Sequence, residues 1–465
     1  MNEADGPAVL LPGFAGAELP GWLEQRLADG LAGVCIFGSN ITSRGQLREL
    51  TDRIRAANPA AIIAIDEEGG DVTRLFHDTG SPFPGNAVLG RIDDERLTER
   101  VARTVGEELR GVGVNLDFAP VADVNSNPMN PVIGVRSFGA DAAATARHTA
   151  AWVRGLQSTG VAGSVKHFPG HGDTAQDSHL ALPVVDLPLE ALRRRELLPF
   201  RAAIDTGVRT VMTSHILLPQ VDGSGPATFS ERILTSLLRE ELAFDGVIVT
   251  DALDMAGASG TSGLAAAAAR AISGGADLLC LGSETPEALL GEVESALAAT
   301  RDRRLAEAAA RVQALGTELA VAAAPSASGA ASEAAFPLEP TIAAFDVRAG
   351  TVVPGGARIV VLETEANIAV GAAPWGPAAA GADVIALRAG DRLPSAGPLI
   401  LVGRDNHRHE WARGVISTAR EARPGSVAVD MGWPSEDRAF ADVATFGASR
   451  HAGDALLRWL EERSS

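Results

Sequence analysis

The chain is 465 residues long, more than a single hydrophobic core usually serves, so two domains and at most three are expected. With 46% hydrophobic and 21% charged residues it is neither disordered nor fibrous. Its 59 acidic and 40 basic residues give a net charge of -19, which argues against nucleic acid or an anionic membrane surface as the main partner. Of the basic residues 39 are arginine and one is lysine, Lys166, so that position stands out from generic surface charge.

The first residues, Met1 to Asp5, are acidic and lack the basic start and apolar run of a secretion signal, and no stretch reads as a membrane span. Cys35 in VCIF and Cys280 in LLCL lie in apolar, strand-like runs, where a buried thiol is a plainer reading than a disulfide or a metal site. The expected compartment is a reducing cytoplasm.

Up to residue 320, short β-rich apolar runs alternate with amphipathic stretches. Strands are predicted at 8–12, 33–38, 61–65, 114–119, 162–167, 209–214, 246–250 and 276–281, and helical periodicity at 46–58, 95–110, 189–204 and 230–242. Eight strand-then-helix units predict an α/β fold, a (β/α)8 TIM barrel over residues 1–320, with chemistry at the carboxyl ends of the strands. Residues 321–339, rich in Ala, Ser and Pro, read as a linker. Strand candidates at 358–363, 383–387, 398–403, 426–432 and 442–447 predict a smaller C-terminal α/β domain over residues 340–465. That domain carries 15 acidic and 13 basic residues, so the acidity belongs to the barrel half and the linker.

The third apolar run, AIIAI, stops at Asp66-Glu67-Glu68, with Arg74 further on. Asp66 could cap a helix or pair with Arg74; at a barrel mouth it could instead accept two ligand hydroxyls at once. After the fourth run, Arg136 in NPVIGVRSF reads either as a ligand clamp or as a loop salt bridge. The fifth run is the richest, since Lys166-His167 is followed by His171, Asp173, Asp177 and His179. Lysine places a compact ammonium where arginine's planar fork would not fit, and imidazole titrates near neutrality. Asp177 could orient and polarise His179 if the loop folds back. The same side chains could equally bind a metal, or simply hold the loop. The seventh run, GVIVT, ends at Asp251, which is either a helix cap or a carboxylate nucleophile already ionised at neutral pH.

The segments IDEEGGDVTRL, NPVIGVRSFG, KHFPGHGDTAQDSH and PATFSERILTSLLREELAFDGVIVTDALDM, together with the eight-strand spacing, resemble glycoside hydrolase family 3, specifically its bacterial β-N-acetylglucosaminidase branch. The resemblance spans most of residues 8–320, and GWPSEDRAFADVATFGASR is similar to the second domain of two-domain members. It implies a retaining exo-β-N-acetylglucosaminidase acting on a cell-wall fragment or a related glycoside, with no cofactor and no metal. On this resemblance Asp251 is the nucleophile, His179 the general acid/base with Asp177 as its dyad partner, and Asp66, Arg74, Arg136, Lys166 and His167 bind the sugar. One departure is visible, Asp71, where the family usually has arginine.

Most glycosidases use two carboxylates, so an imidazole acid/base depends on Asp177 to fix and charge it. A neutral imidazole does not repel an incoming anion, which makes inorganic phosphate a candidate acceptor beside water. A β-glucosidase or a β-N-acetylglucosaminide or β-glucoside phosphorylase of the same family is the corresponding alternative. From another class, a metal-dependent barrel amidohydrolase would use His167, His171 and His179 as ligands. It is weakened because the one HxH pair, His407 and His409, lies in the second domain.

Overall fold

A computed structural model describes residues 5–176, 182–260, 262–300, 303–322, 336–364, 369–395 and 397–464. Asp177, His179 and most of the 321–339 segment lie outside the described residues. The chain forms two compact units, neither continuous in sequence. The first comprises Met1–Glu67, Glu95–Val124 and Asp141–Glu333, and the second Glu68–Asp94, Asn125–Ala140 and Ala334–Ser465.

Eight strands run through the first unit: β1 (Leu10–Leu11), β2 (Gly33–Ile36), β3 (Ile62–Ile65), β4 (Leu116–Asp117), β5 (Ala162–Phe168), β6 (Thr210–Thr213), β7 (Val247–Val249) and β8 (Leu279–Cys280). Each lies within one of the predicted apolar runs or overlaps it. Strands β2 to β7 pair in chain order, all parallel, and β8 pairs parallel with β1. A parallel bridge between Val249 and Leu278 joins β7 to β8, and the Cys35 N–H donates to the Pro12 carbonyl beside β1. The sheet thereby curls into a barrel-like ring. Alternate residues fill its core, among them Ile62 and Ala64, Leu116 and Phe118, and Val247 and Val249, because successive side chains of a strand point to opposite faces. Cys35 and Cys280 are buried in this core and are not joined in a disulfide.

Outer helices follow the amphipathic stretches. Arg44–Ala57 is capped by Ser43, whose Oγ accepts the Gln46 N–H. Glu95–Gly111 packs on Ala142–Gln157 so closely that a Cβ at Gly155 would lie 2.2 Å from the Glu99 carbonyl oxygen. Two stretches depart from expectation. The continuous helix predicted over 189–204 divides into Leu189–Arg194 and Leu197–Asp205. Pro199 has no N–H to offer the Arg195 carbonyl, and its ring would strike that carbonyl in an unbroken helix, so the chain turns at Arg195 and Glu196. The 230–242 stretch forms Arg232–Glu241 with π-helical pitch, its end closed by the Leu242 N–H on the Leu237 carbonyl.

In the second unit a six-stranded sheet contains β9 (Asp346–Val347), β10 (Arg358–Leu362), β11 (Ile385–Leu387), β12 (Leu399–Gly403), β13 (Val427–Asp430) and β14 (Val443–Ala444). Its order is β11-β10-β12-β13-β14-β9, with only β9 antiparallel. Five of these strands fall in predicted runs; two-residue β9 is too short to leave an alternation in the sequence. Buried residues cover both faces. Val402 and Val429 pack with Leu456 and Trp459 of the helix Arg450–Arg463, while Leu401 and Ala428 pack with Ala412 and Ile416 of the helix Glu410–Ala422. Among the described residues no helix is long and apolar enough to cross a membrane.

Just before β8, fully buried Asp277 accepts the Ile248 N–H at 2.9 Å and is paired with Arg239 and Arg304, with Arg311 at 3.4 Å. Removing it leaves buried guanidinium charge uncompensated, so Asp277→Ala is expected to lose about 3–5 kcal/mol of stability in urea denaturation. A change under about 1 kcal/mol would show that the arginines find other partners.

Candidate active site

The site grows from acids that end apolar strands of the first unit. Asp66 follows β3 directly, and its Oδ1 lies 2.7 Å from the Nζ of Lys166 in β5. Lys166 is only 2% exposed, so its ammonium has been withdrawn from water and needs this carboxylate. Asp117, the last residue of β4, is fully buried and accepts the Glu67 N–H at 3.0 Å. Burial pushes its carboxyl well above the usual range, with the Glu67 carboxylate adding to burial and the Glu67 N–H and Lys166 opposing it.

Asp123, on the segment after β4, gathers the turn that follows β5. Its Oδ2 is 2.6 Å from His167 Nδ1, its two oxygens accept the His167 N–H at 3.2 and 3.3 Å, and Oδ1 accepts the His171 N–H at 2.7 Å. Burial alone raises this carboxyl, but the His167 imidazole, its hydrogen bond and His171 outweigh it and hold Asp123 below the usual range. His171 is buried, with Nδ1 2.9 Å from Thr174 Oγ1, and burial pushes it down to about 4, so its ring is neutral at neutral pH. His215 after β6 has Nδ1 2.8 Å from Thr228 Oγ1 and Nε2 3.0 Å from the Ala252 carbonyl.

Asp251 stands one residue beyond Thr250 at the end of β7, half-buried, its Oδ1 accepting the Ala252 N–H at 2.8 Å. Its charge acts on His171. Thus Asp66, Lys166, His167 and Asp251 all lie at the carboxyl ends of β3, β5 and β7. Such ends carry the active sites of barrel enzymes. Among the described residues no three His, Cys, Asp or Glu side chains are arranged as a metal ligand set. Asp177 and His179 are outside the described residues.

Arg74 and Arg136 belong to the second unit. Arg136 makes a two-pronged pair with Glu68, Nε to Oε2 at 2.9 Å and Nη2 to Oε1 at 2.7 Å, both side chains buried. Its Nη1 donates to the Val132 carbonyl and its own carbonyl accepts from Asn86. Arg74 donates from Nη2 to the Ala369 carbonyl at 2.9 Å. Asp71 also has a structural task. It accepts the N–H groups of Ala448 (2.8 Å) and Ser449, at the start of the helix Arg450–Arg463, where a carboxylate suits the helix dipole. With Trp375 and Arg404, whose guanidinium stacks 4.3 Å from the Trp375 ring, Asp71, Ala448 and Ser449 line a small cleft.

Sequence reasoning passed over Asp117, Asp123 and the role of Glu68. For Asp117 and Asp123 the signal was available, since acids inside the otherwise apolar run VNLDFAPVAD must find partners if the run is buried.

Residues 20–315 match the glycosyl hydrolase family 3 N terminal domain. The chain is 40% identical over 250 residues to β-hexosaminidase A of Pseudoalteromonas piscicida, covering 49% of this chain and 42% of that protein, so it spans less than half of that relative's length. It is 38% identical over 294 residues to a β-hexosaminidase of Stenotrophomonas maltophilia strain K279a, covering 60% of this chain and 86% of the relative. The solved structure of a glycoside hydrolase family 3 β-N-acetylglucosaminidase from Paenibacillus sp. str. FPU-7 is similar with a TM-score of 0.88 at 29% identity, over 100% of this chain and 97% of that one.

Burial raises the Asp71 carboxyl from 3.8 to about 6, against the Ala448 N–H and Arg404. A group raised on folding favours the folded state below its unfolded value and loses that contribution as pH climbs through the folded value. Asp71→Asn carries no such proton. Its stability relative to the parent protein is therefore expected to grow from about pH 4 to about pH 6 and then level off in urea titrations. A pH-independent difference would mean that Asp71 does not titrate there.

Proposed function

The chain belongs to glycosyl hydrolase family 3, and on that premise we propose that it is a retaining exo-β-N-acetylglucosaminidase that removes terminal β-linked N-acetylglucosamine. The observation that carries the reading is the convergence, at strand carboxyl ends, of buried Lys166 paired with half-buried Asp66, the Asp123-held His167 and the half-buried Asp251. An ammonium locked against a carboxylate is a preorganised donor and acceptor for vicinal sugar hydroxyls. The hexosaminidase names of the relatives and the acetylglucosaminidase of the structural neighbour support the choice of sugar.

In the proposed reaction Asp251 attacks the anomeric carbon while His179, protonated, gives its proton to the leaving glycosidic oxygen. The C–O bond to the aglycone breaks as the glycosyl-aspartate bond forms. Neutral His179, held by Asp177, then takes a proton from water, whose oxygen displaces Asp251 and restores the original anomeric configuration. Asp66, Lys166 and His167 hold the sugar hydroxyls.

Chromogenic β-N-acetylglucosaminide and β-glucoside compared side by side test the substrate, and the former is expected to be cleaved faster. The first-formed anomer, followed by proton NMR, is expected to be β; an α product would exclude the double displacement. Asp251→Ala is expected to abolish turnover, whereas His179→Ala loses about 10²- to 10⁴-fold. Lys166→Arg is expected to lose most activity although it keeps the charge, because a planar fork cannot occupy a compact ammonium site. Near-normal kinetics would remove Lys166 from the sugar site. Repeating the assay in phosphate distinguishes the acceptors, since sugar 1-phosphate would form only if phosphate replaces water.

A further inference from the structure

We propose that Arg195 and Glu196 form a positioning pair for the turn of residues 167–173 that keeps His167 on the Asp123 carboxylate. The inference rests on the reading of His167 as a sugar contact.

The pair sits where the outer helix breaks ahead of Pro199, so its backbone is turned out of helical register. Glu196 is fully buried, and its Oε1 accepts Arg195 Nε at 2.5 Å. Arg195 reaches on with Nη2 to Asp173 Oδ2 at 2.6 Å, which ties the end of the turn to the helix break. Glu196 also packs beneath the middle of the turn. A Cβ built on Gly170 would lie 2.8 Å from both Cβ and Oε2 of Glu196, and Gly170 has φ +121°, so only glycine fits there. The Gly170 N–H closes the turn on the His167 carbonyl at 2.8 Å. Asp123 grips the same turn through the His167 and His171 N–H groups, so residues 167–173 are clamped between two anchors.

A purely structural filler at Glu196 would be apolar. The buried Oε2 has no hydrogen-bond partner among the described residues, an arrangement that costs desolvation energy for nothing unless the carboxyl has a task. The groups facing it are Arg195 on its own element, Asp173 on the turn and Asp123 after β4. Burial raises the Glu196 carboxyl to about 7, with Arg195 opposing and the two aspartates reinforcing the shift. The chain after this turn continues in sequence towards Asp177 and His179.

The test uses the full chain with 15N-labelled histidine and the variant Glu196→Gln, which keeps the shape and the oxygen facing Arg195 but not the ionisable group. The ring signals of His167 and His171 are expected to move in the substrate-free protein while those of His148 and His451 stay in place. With β-N-acetylglucosaminide, kcat/KM is expected to fall about ten- to hundredfold, the scale of a small misplacement. If Glu196→Gln does not fold, Arg195→Lys, which keeps charge but loses the fork to Asp173, carries the same expectations. Unmoved His167 and His171 signals would overturn the proposal. A parent protein without glycosidase activity would overturn the proposed function, while the NMR comparison would still decide the positioning role.

Discussion

A carboxylate with no exposure to solvent organises the carboxyl ends of the strands in the first unit. Asp123 is fully buried, and such an ion persists only where donors replace the water it has lost. It obtains them from one short stretch of chain, the His167 and His171 N–H groups and the His167 ring. The exchange works in both directions, since the aspartate is held ionised and the turn after β5 is held in one conformation. Lys166 is thereby set beside His167 with its ammonium directed to Asp66, and the sugar-binding reading depends on that placement.

Elsewhere the same rule governs buried charge, but with different ends. Asp277, before β8, collects Arg239, Arg304 and Arg311 at the amino-terminal side of the strands, where barrels keep residues for stability rather than chemistry. Glu68 and Arg136 neutralise each other in a planar two-pronged pair, which fixes the loop that carries Arg136. Asp71 is matched by backbone donors at a helix start. The division between ion pairs that stabilise and ion pairs that prepare a site follows position on the strands rather than residue type.

Much of this was legible in the sequence because strand and helix periodicities are local. Runs such as AIIAI and GVIVT announced β3 and β7, and the polar residue that ended each run, Asp66 or Asp251, fell at the strand's carboxyl end. The single lysine was legible as an oddity, and its burial against Asp66 supplies a physical reason for it. Less was legible where a distant partner decides. Periodicity over 189–204 suggested one helix, although Pro199 carried the contrary signal, and what Arg195 and Glu196 do at the break depends on a turn more than twenty residues away in the chain.

The sequence by itself determined the order and parallel character of the strands, the acids at their ends and the family resemblance, since each is written in residues close together along the chain. Only the tertiary structure decided which charge answers which. Asp123 and His167 are separated by 44 positions and Asp66 and Lys166 by 100, and nothing in local spacing selects these pairs from the many acids and bases available. Burial makes the selection, because a charge withdrawn from water must be met by whatever partner the fold brings within reach.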